Sequence, residues 1–445
     1  MLAALVACAA HSDDEAPTGP ERPARAAAPR RAPERGPGLP TVVLFVMDTV
    51  RADHTSLCGY DRDTTPFLAS LAVRKGPAVA SCDLVTPGSW TVPSHASFFT
   101  GLAVAEHGDD SIDRVLPTDV PTLAEAMRAK GYQTLMVSAN PTLSPRSGLQ
   151  RGFDRVAVAP GLSTWRGEDL TRELKKALAL MDPAKPLFLF VNAFDAHDPF
   201  MPIPDGVEWA APQPRITYDV HNELRDKAYF PFVRGKLPPP EARDLLRRVT
   251  DAYDVGVREA DANVRRAIGL LVDGGWTRTG FRVVVTADHG EYLGERQRLR
   301  HGCELDEAVT RVPLLVYEPD RKGALTLPDV VPGRQVFWIV RDGVLGPDPV
   351  DAEAFAVGRS DDPRHCEDVV ASWPKSDEKM VWRADGVRRF DLKADRKEEH
   401  GKPVTGEAAA TLEARAKAWQ SRRAEGEKGV DARRREEMKA LGYTE

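Results

Sequence analysis

The sequence predicts an α/β fold: a large mixed, mostly parallel sheet with helices on both faces, joined to a smaller α+β subdomain. Three observations carry that expectation. Continuous apolar runs rich in β-formers end abruptly on polar residues, as at Val42–Met47 before Asp48, and such runs mark strands buried on both faces of a parallel sheet. Between them lie stretches with apolar residues three and four apart, and this alternation of strand and helix builds a sheet covered by helices. Beyond Arg311–Pro319 the pattern breaks into short strand-like pieces, which sets a catalytic domain at residues 39–325 apart from a subdomain and helical tail at 326–445.

In chain order, "MLAALVACAA" places Cys8 after Leu5, Val6 and Ala7, which resembles the bacterial lipobox, where signal cleavage leaves an acylated cysteine. On that reading residues 1–8 are a signal remnant. The mature chain is then a lipoprotein of the cell envelope, facing the periplasm or the cell exterior, with membrane contact only through a lipid on Cys8. Residues 9–38 are rich in Pro, Ala and Arg and hold no large apolar residue, the composition of a disordered spacer. No later stretch approaches the ~20 apolar residues of a membrane span.

Order begins at Val42–Met47. The stretch "PGSWTVPSHASFFTG" (Pro87–Gly101) reads as a loop entering a helix, with the hydroxyl of Thr91 two places ahead of Pro93. "PTLAEAMRAKG" reads as a helix and "YQTLMVSAN" as a strand ending at Asn140; a helix follows from Leu170, and a strand at Leu187–Val191 leads to Asp195 and His197. A further helix from Tyr253 precedes the strand Val283–Thr286, which leads to Asp288 and His289. In open α/β sheets ligands sit beyond the carboxyl ends of the strands, which is where Asp48, Asp288 and His289 fall. In the C-terminal subdomain, Asp385–Gly386 signals a hairpin turn, and "EAAATLEARAKAWQSRRAEGE" reads as a solvated amphipathic helix.

Composition removes several classes. With 42% apolar and 29% charged residues the chain is ordinary globular material. A net charge of −6 over 445 residues supplies no basic field for a nucleic-acid backbone, so nucleic acid is excluded as a partner. The five cysteines contain no CxxC pair, so no zinc cluster or dense disulfide framework is signalled. A single Cys58–Cys82 bridge is compatible with the sequence and unsupported by it.

An aspartate after a strand is ordinarily a helix cap or turn former. Two such aspartates and an adjacent histidine at separate strand ends suit a divalent metal, whose usual ligands are carboxylate oxygen and imidazole nitrogen.

At these residues the chain resembles the sulfatases of the alkaline phosphatase superfamily. The matching segments are "VVLFVMDTVRADHTSLCGYDRDTTPFLASLA", "SWTVPSHASFFTGL", "FDAHDPF", "VVVTADHGEYLGE" and "HGCELDEAVTRVPLLVY", in family order over about Thr41 to Tyr317; the ending "RREEMKALGYTE" is similar too. The resemblance implies one divalent metal held by Asp48, Thr91, Asp288 and His289, with Thr91, His95, His197 and His301 as catalytic groups. It places Thr91 where the family has a Cys or Ser oxidised to formylglycine, and His95 where it has an arginine. Threonine carries a methyl on its carbinol carbon and cannot become an aldehyde, so no formylglycine is expected. A metal-activated threonine alkoxide stays available, and the start of a helix favours it further. His197 and His301 match positions that contact ester oxygens or protonate the leaving group. Asn140 falls where the family has a lysine-containing motif.

The metal set differs likewise: Asp48–Thr49 replaces a pair of acids and Asp288–His289 an Asp–Asn pair, which favours zinc or manganese over calcium. Whether Asp195 or His197 adds ligands for a second zinc the sequence leaves open. The expected function is metal-dependent hydrolysis of sulfate or phosphate esters of a small molecule, glycan or lipid, with site chemistry favouring phosphorus. The alternatives are phosphoethanolamine-transferase-like or phosphodiesterase activity, and a catalytically silent binding lipoprotein. Specificity is expected in loops such as Pro202–Leu224.

Overall fold

The structure is a computed structural model that describes residues 38–426, apart from 75–77, 112–113, 163, 216–224, 303, 322, 324, 347–351 and 358–365. Cys8, the spacer up to residue 37, the latter part of the 202–224 loop and the closing "RREEMKALGYTE" lie outside the described residues.

From β1 (Thr41–Met47) the chain runs through α1 (Pro66–Ala72), β2 (Ala78–Val85), α2 (Thr91–Thr100), α3 (Val104–His107) and α4 (Leu123–Ala129). Next come β3 (Gln133–Ser138), β4 (Arg155–Val158), α5 (Glu168–Leu178) and β5 (Leu187–Ala193). After α6 (Phe230–Val233), the long α7 (Pro239–Asp273) returns the chain to β6 (Phe281–Thr286). A ribbon of β7 (Tyr292–Leu293) and β8 (Leu299–Arg300) precedes α8 (Glu307–Thr310), β9 (Arg311–Tyr317), β10 (Val331–Pro332) and α9 (Gln335–Asp342). The chain then forms β11 (Ala352–Ala356), β12 (Val369–Lys375), β13 (Glu378–Arg383), β14 (Gly386–Asp391), β15 (Lys402–Pro403) and α10 (Glu407–Gly426).

Eight strands make one sheet in the order β10-β2-β9-β6-β1-β5-β3-β4. Every residue of β1 and β5 is buried, as their unbroken apolar runs require of central parallel strands. β1 pairs in parallel with β5 and β6, whereas β9 runs antiparallel to both β6 and β2. The reversal leaves β2 pointing the same way as β1. As a result β1, β2, β3, β5 and β6 all deliver their carboxyl ends to one edge. One helical layer contains α2, α4 and α9, another α1, α5 and α7, and both reach β1.

The small sheet is antiparallel, in the order β11 to β15. Its hairpin differs from the sequence expectation by one residue. Arg383 pairs with Gly386, so Ala384 and Asp385 form the turn and Gly386 opens β14 at φ 125°. α10 is amphipathic as expected: most of its described residues are exposed, and the stripe of Leu412, Ala416 and Trp419 packs on Phe355, Val370, Met380 and Trp382. The opposite face, with Val369, Ala371, Trp373 and Val381, packs on Val85 and Leu305 of the large layer. Cys58 and Cys82 are bridged, a pairing the sequence allowed without supporting, and Cys366 is disulfide-bonded as well. Among the described residues no helix is long and apolar enough to cross a membrane.

Candidate active site

Thr91 is the first residue of α2, and Trp90, in extended conformation with no side-chain cap, is the N-cap. The threonine hydroxyl therefore does no capping. All ten residues of α2 are buried, so the helix start is fixed by packing on every side. The approach loop lies close against it: a Cβ on Gly88 would come 2.8 Å from the Pro93 ring. Phe355 of β11 donates its N–H to Pro87 O at 2.9 Å, tying the loop to the small sheet.

Asp48 and Asp288 are each half satisfied. Asp48 Oδ2 accepts from Asn140 Nδ2 at 2.8 Å and Asn192 Nδ2 at 3.2 Å. Asp288 Oδ1 accepts from the backbone N–H of Thr49 at 3.3 Å and of His289 at 3.0 Å. The Thr49 contact uses a left-handed backbone, φ 62°, an outlier for a β-branched residue of the strained kind that clusters at functional sites. The second oxygens, Asp48 Oδ1 and Asp288 Oδ2, are buried without any hydrogen-bond partner.

His289 completes the group. Its Nδ1–H donates to Gly290 O at 2.9 Å, which leaves a lone pair on Nε2. That nitrogen stands 3.7 Å from Asp48 Oδ1 and 3.5 Å from Asp288 Oδ2, and 3.5 Å from Thr91 Oγ1. Two orphaned carboxylate oxygens and an imidazole lone pair thus converge with no donor among them, all within 4.8 Å of one another. Ligands about 2.1 Å from one tetrahedral ion stand ~3.4 Å apart, so the spacing fits a divalent cation. Without one, burial and the neighbouring Asp288 push Asp48 up to about 7. Burial pushes Asp288 to about 7 too, while it lowers His289 from the usual imidazole value. A cation reverses the carboxylate shifts by supplying the missing charge.

Asn140 links nucleophile and metal group: the Nδ2 that bonds Asp48 also donates to Thr91 Oγ1 at 3.1 Å. The hydroxyl oxygen is held as an acceptor, so its own proton points elsewhere.

His95 lies one turn below Thr91. Its Nδ1 donates to Thr91 O at 2.9 Å and lies 3.5 Å from Asp288 Oδ2, while the ring packs among Phe98, Phe99 and Phe190. Burial pushes its pKa down to about 3. It is a neutral donor and brings no positive charge to the arginine position.

His197 and His301 approach from the other side. The His301 ring lies 4.2 Å from that of His289 and 4.9 Å from that of His197, centre to centre. Its Nδ1 faces both oxygens of Glu291 at 3.3 Å. His197 stacks on Phe194 and bonds Asp198 O through Nδ1, and burial holds it well below the usual imidazole value. Asp195 turns away: Gly167 N–H and Asn263 Nδ2 occupy its two oxygens at 2.7 and 2.9 Å, and it adds nothing to the metal group. Arg166 clamps this segment through the carbonyls of Phe194, Asp195 and His197.

Sequence reasoning gave Asn140 little weight and overlooked Asn192 and Glu291. Asn192 closes the run of β5 and Glu291 follows "DHG"; their position next to residues already singled out was the available signal.

The sequence matches the family model described as Sulfatase over residues 40–335. No curated protein matches it. Similar solved structures include a protein complexed with D-glucosamine-2-N,6-O-disulfate, stated to be its substrate (TM-score 0.64, 16% identity, 86% of this chain and 98% of that one). A phosphonate monoester hydrolase from Silicibacter pomeroyi aligns at TM-score 0.61 and 19% identity, covering 88% of this chain and 96% of its own. The periplasmic domain of EcEptC from Escherichia coli, solved with Zn, aligns at 0.53 and 16%, covering 76% and 96%.

Proposed function

The chain belongs to the sulfatase family, and on that footing we propose that it hydrolyses phosphate or sulfate esters with Thr91 as nucleophile and a divalent metal on Asp48, Asp288 and His289. The observation that carries this is the placement of Thr91 Oγ1. It stands at the start of a buried helix, bonded at 3.1 Å to the same Asn140 amide that holds Asp48. The metal supplies positive charge that lowers the pKa of a hydroxyl and offsets charge on the ester oxygens.

Everything else falls to the protein. Asn140 holds Thr91 Oγ1 with a lone pair free to attack, and the dipole of α2 favours negative charge at that atom. With the Thr91 proton released to solvent, attack of the alkoxide joins Thr91 Oγ1 to phosphorus or sulfur and expels the ester alcohol, which takes a proton from His301; water then adds to phosphorus or sulfur, returns its proton to His301, and frees the acid and Thr91 Oγ1. His197 beside His301 contacts the ester oxygens. His95, neutral and bonded to Thr91 O, orients the helix start.

Phosphorus is the favoured centre, because an unmodified threonine cannot form the gem-diol by which sulfatases shed sulfate, and because a histidine ligand favours zinc or manganese over calcium. The substrate is a small-molecule, glycan or lipid ester. Anchoring through Cys8 in the cell envelope completes the proposal and rests on the sequence alone.

The test is a panel of aryl sulfate, phosphate monoester, phosphodiester and phosphonate ester, each with zinc, manganese and calcium. Turnover of a phosphorus ester that Thr91→Ala abolishes is expected. Turnover of aryl sulfate alone by an unmodified Thr91 would sink the preference for phosphorus. No turnover at all, with Thr91→Ala leaving metal binding unchanged, would favour a silent binding protein.

A further inference from the structure

We propose that the small antiparallel sheet is a positioning element for the reaction: Lys379 and Arg383 of β13 set the place of His301 by holding the segment that follows it. The inference rests on the reading of His301 as proton donor to the leaving alcohol.

His301 sits in an irregular stretch between Glu291 and Thr310 in which β7 and β8, at two residues each, are the longest strands. Such a segment has little backbone order of its own, so its conformation must be held from outside. Its acids carry the grip, partly from within the segment and partly from the small sheet. Glu304 takes Arg383 of β13, and Arg298 at 2.9 Å. Asp306 takes Arg296 at 2.6 Å and the Tyr292 hydroxyl. Glu307 accepts from Trp373 Nε1 of β12 at 2.7 Å, and its backbone N–H donates to Glu398 at 2.7 Å.

Lys379 is the centre of this grip. It is fully buried, donates to Leu305 O at 2.5 Å, and pairs with both oxygens of Glu398 at 2.8 and 3.0 Å. A buried ion pair is a poor device for stability alone, because desolvation offsets most of the attraction and an apolar pair of similar size often does as well. What it supplies here is direction: a fixed donor aimed at one carbonyl, four residues beyond His301. The same sheet also bonds the loop before Thr91, through Phe355 N–H to Pro87 O at 2.9 Å. The nucleophile at the start of α2 and the proton donor after β8 are thus both tied to one small sheet.

The consequence is selective. A misplaced His301 matters when the leaving alcohol needs a proton and hardly matters when it leaves readily as an anion. The test uses Lys379→Met with Glu398→Gln, which removes the charge pair together and keeps an acceptor for the Glu307 N–H, and separately Arg383→Met, which leaves Glu304 paired with Arg298. Each full-length variant is assayed with the metal on the phenyl and 2,4-dinitrophenyl esters of whichever acid the wild type hydrolyses. For the phenyl ester kcat is expected to fall roughly ten- to a hundredfold, part of the ~10²–10⁴ that a placed proton donor supplies. For the dinitrophenyl ester it is expected to stay within about threefold. Equal losses on both esters, or none on either, overturn the proposal. His301→Asn separates the two levels: if it shows no leaving-group selectivity, the role given to His301 fails and the proposal falls with it. If it is selective and the sheet variants are not, only the positioning fails. Should the double variant not fold, Arg383→Met decides alone.

Discussion

At Thr91 a single amide does two jobs, so Asn140 is the residue whose loss says most. Asn140→Ala removes the donor on Thr91 Oγ1 and one of the two amides on Asp48 Oδ2. Loss of a partner that orients a metal ligand typically weakens metal binding by about 10–100-fold. Loss of a positioned donor at the reacting atom costs on the order of 10²-fold in kcat. Calorimetric metal titration beside steady-state kinetics is expected to show both effects; a kcat loss at unchanged metal affinity would mean that Asn192 alone holds Asp48. His95→Arg tests the other departure from the family. The site is walled by Phe98, Phe99 and Phe190 and fully buried, so a guanidinium there lacks solvent, and the carboxylate beside it, Asp288 at 3.5 Å from His95 Nδ1, is committed to the metal group. The variant is expected to lose on the order of 3–5 kcal/mol in denaturant unfolding rather than gain sulfate hydrolysis. Asp48, Asp288 and His289 were legible in the sequence because each follows a strand end, and Thr91 because its segment resembles the family's nucleophile motif. The work of Asn140, Asn192 and Glu291 was not, since an amide or acid acquires its role from a partner on another strand. The neutrality of His95 was hidden for the same reason: only the packed phenylalanines expel its charge.

Elements repeat the contrast. β1, β5 and β6 were plain in the sequence, because a strand buried on both faces must be apolar throughout. The reversed direction of β9 was not, since such a run reads alike either way. The length of α7 was half seen; its first turns, before Tyr253, carry the weaker apolar pattern. Where α7 passes the segment bearing His197 the fit is tight: a Cβ on Gly256 would come 2.3 Å from Asp195 O and 2.7 Å from Ala196 Cα. Backbone cannot yield as a side-chain tip does, so Gly256→Ala must push the helix from the loop. Overpacking of this kind costs about 1–3 kcal/mol. Thermal unfolding is expected to show that loss, and kcat to fall at temperatures where the variant is still fully folded, because the His197 ring moves with the loop. A destabilised variant with unchanged kcat would show that the loop keeps its place without the contact.

For the molecule as a whole, the metal group makes stability depend on pH with a sign that changes on loading. In the metal-free protein Asp48 and Asp288 keep their protons up to about 7, whereas the unfolded chain releases them near the ordinary aspartate value of 3.8. A raised acid contributes stability that is complete below the unfolded value and is lost as pH climbs through the folded one. Metal-free protein therefore loses this contribution between about pH 4 and 7. Asp48→Asn cannot ionise and is spared, so in chelator it is expected to be more stable than wild type at pH 8 and to lose that advantage at pH 5. Adding zinc or manganese reverses the trend. Binding must displace the two protons below about pH 7 and needs no displacement above it, so the stabilisation by metal grows as pH rises. At free metal a hundredfold above its dissociation constant it reaches about 2.7 kcal/mol. Thermal unfolding of wild type and Asp48→Asn at pH 5 and 8, with chelator and with metal, contains the whole test. Equal metal-induced shifts at the two pH values would mean that the carboxylates are ionised already without a cation, and that His289 and the amides around them suffice to hold two negative charges in the core.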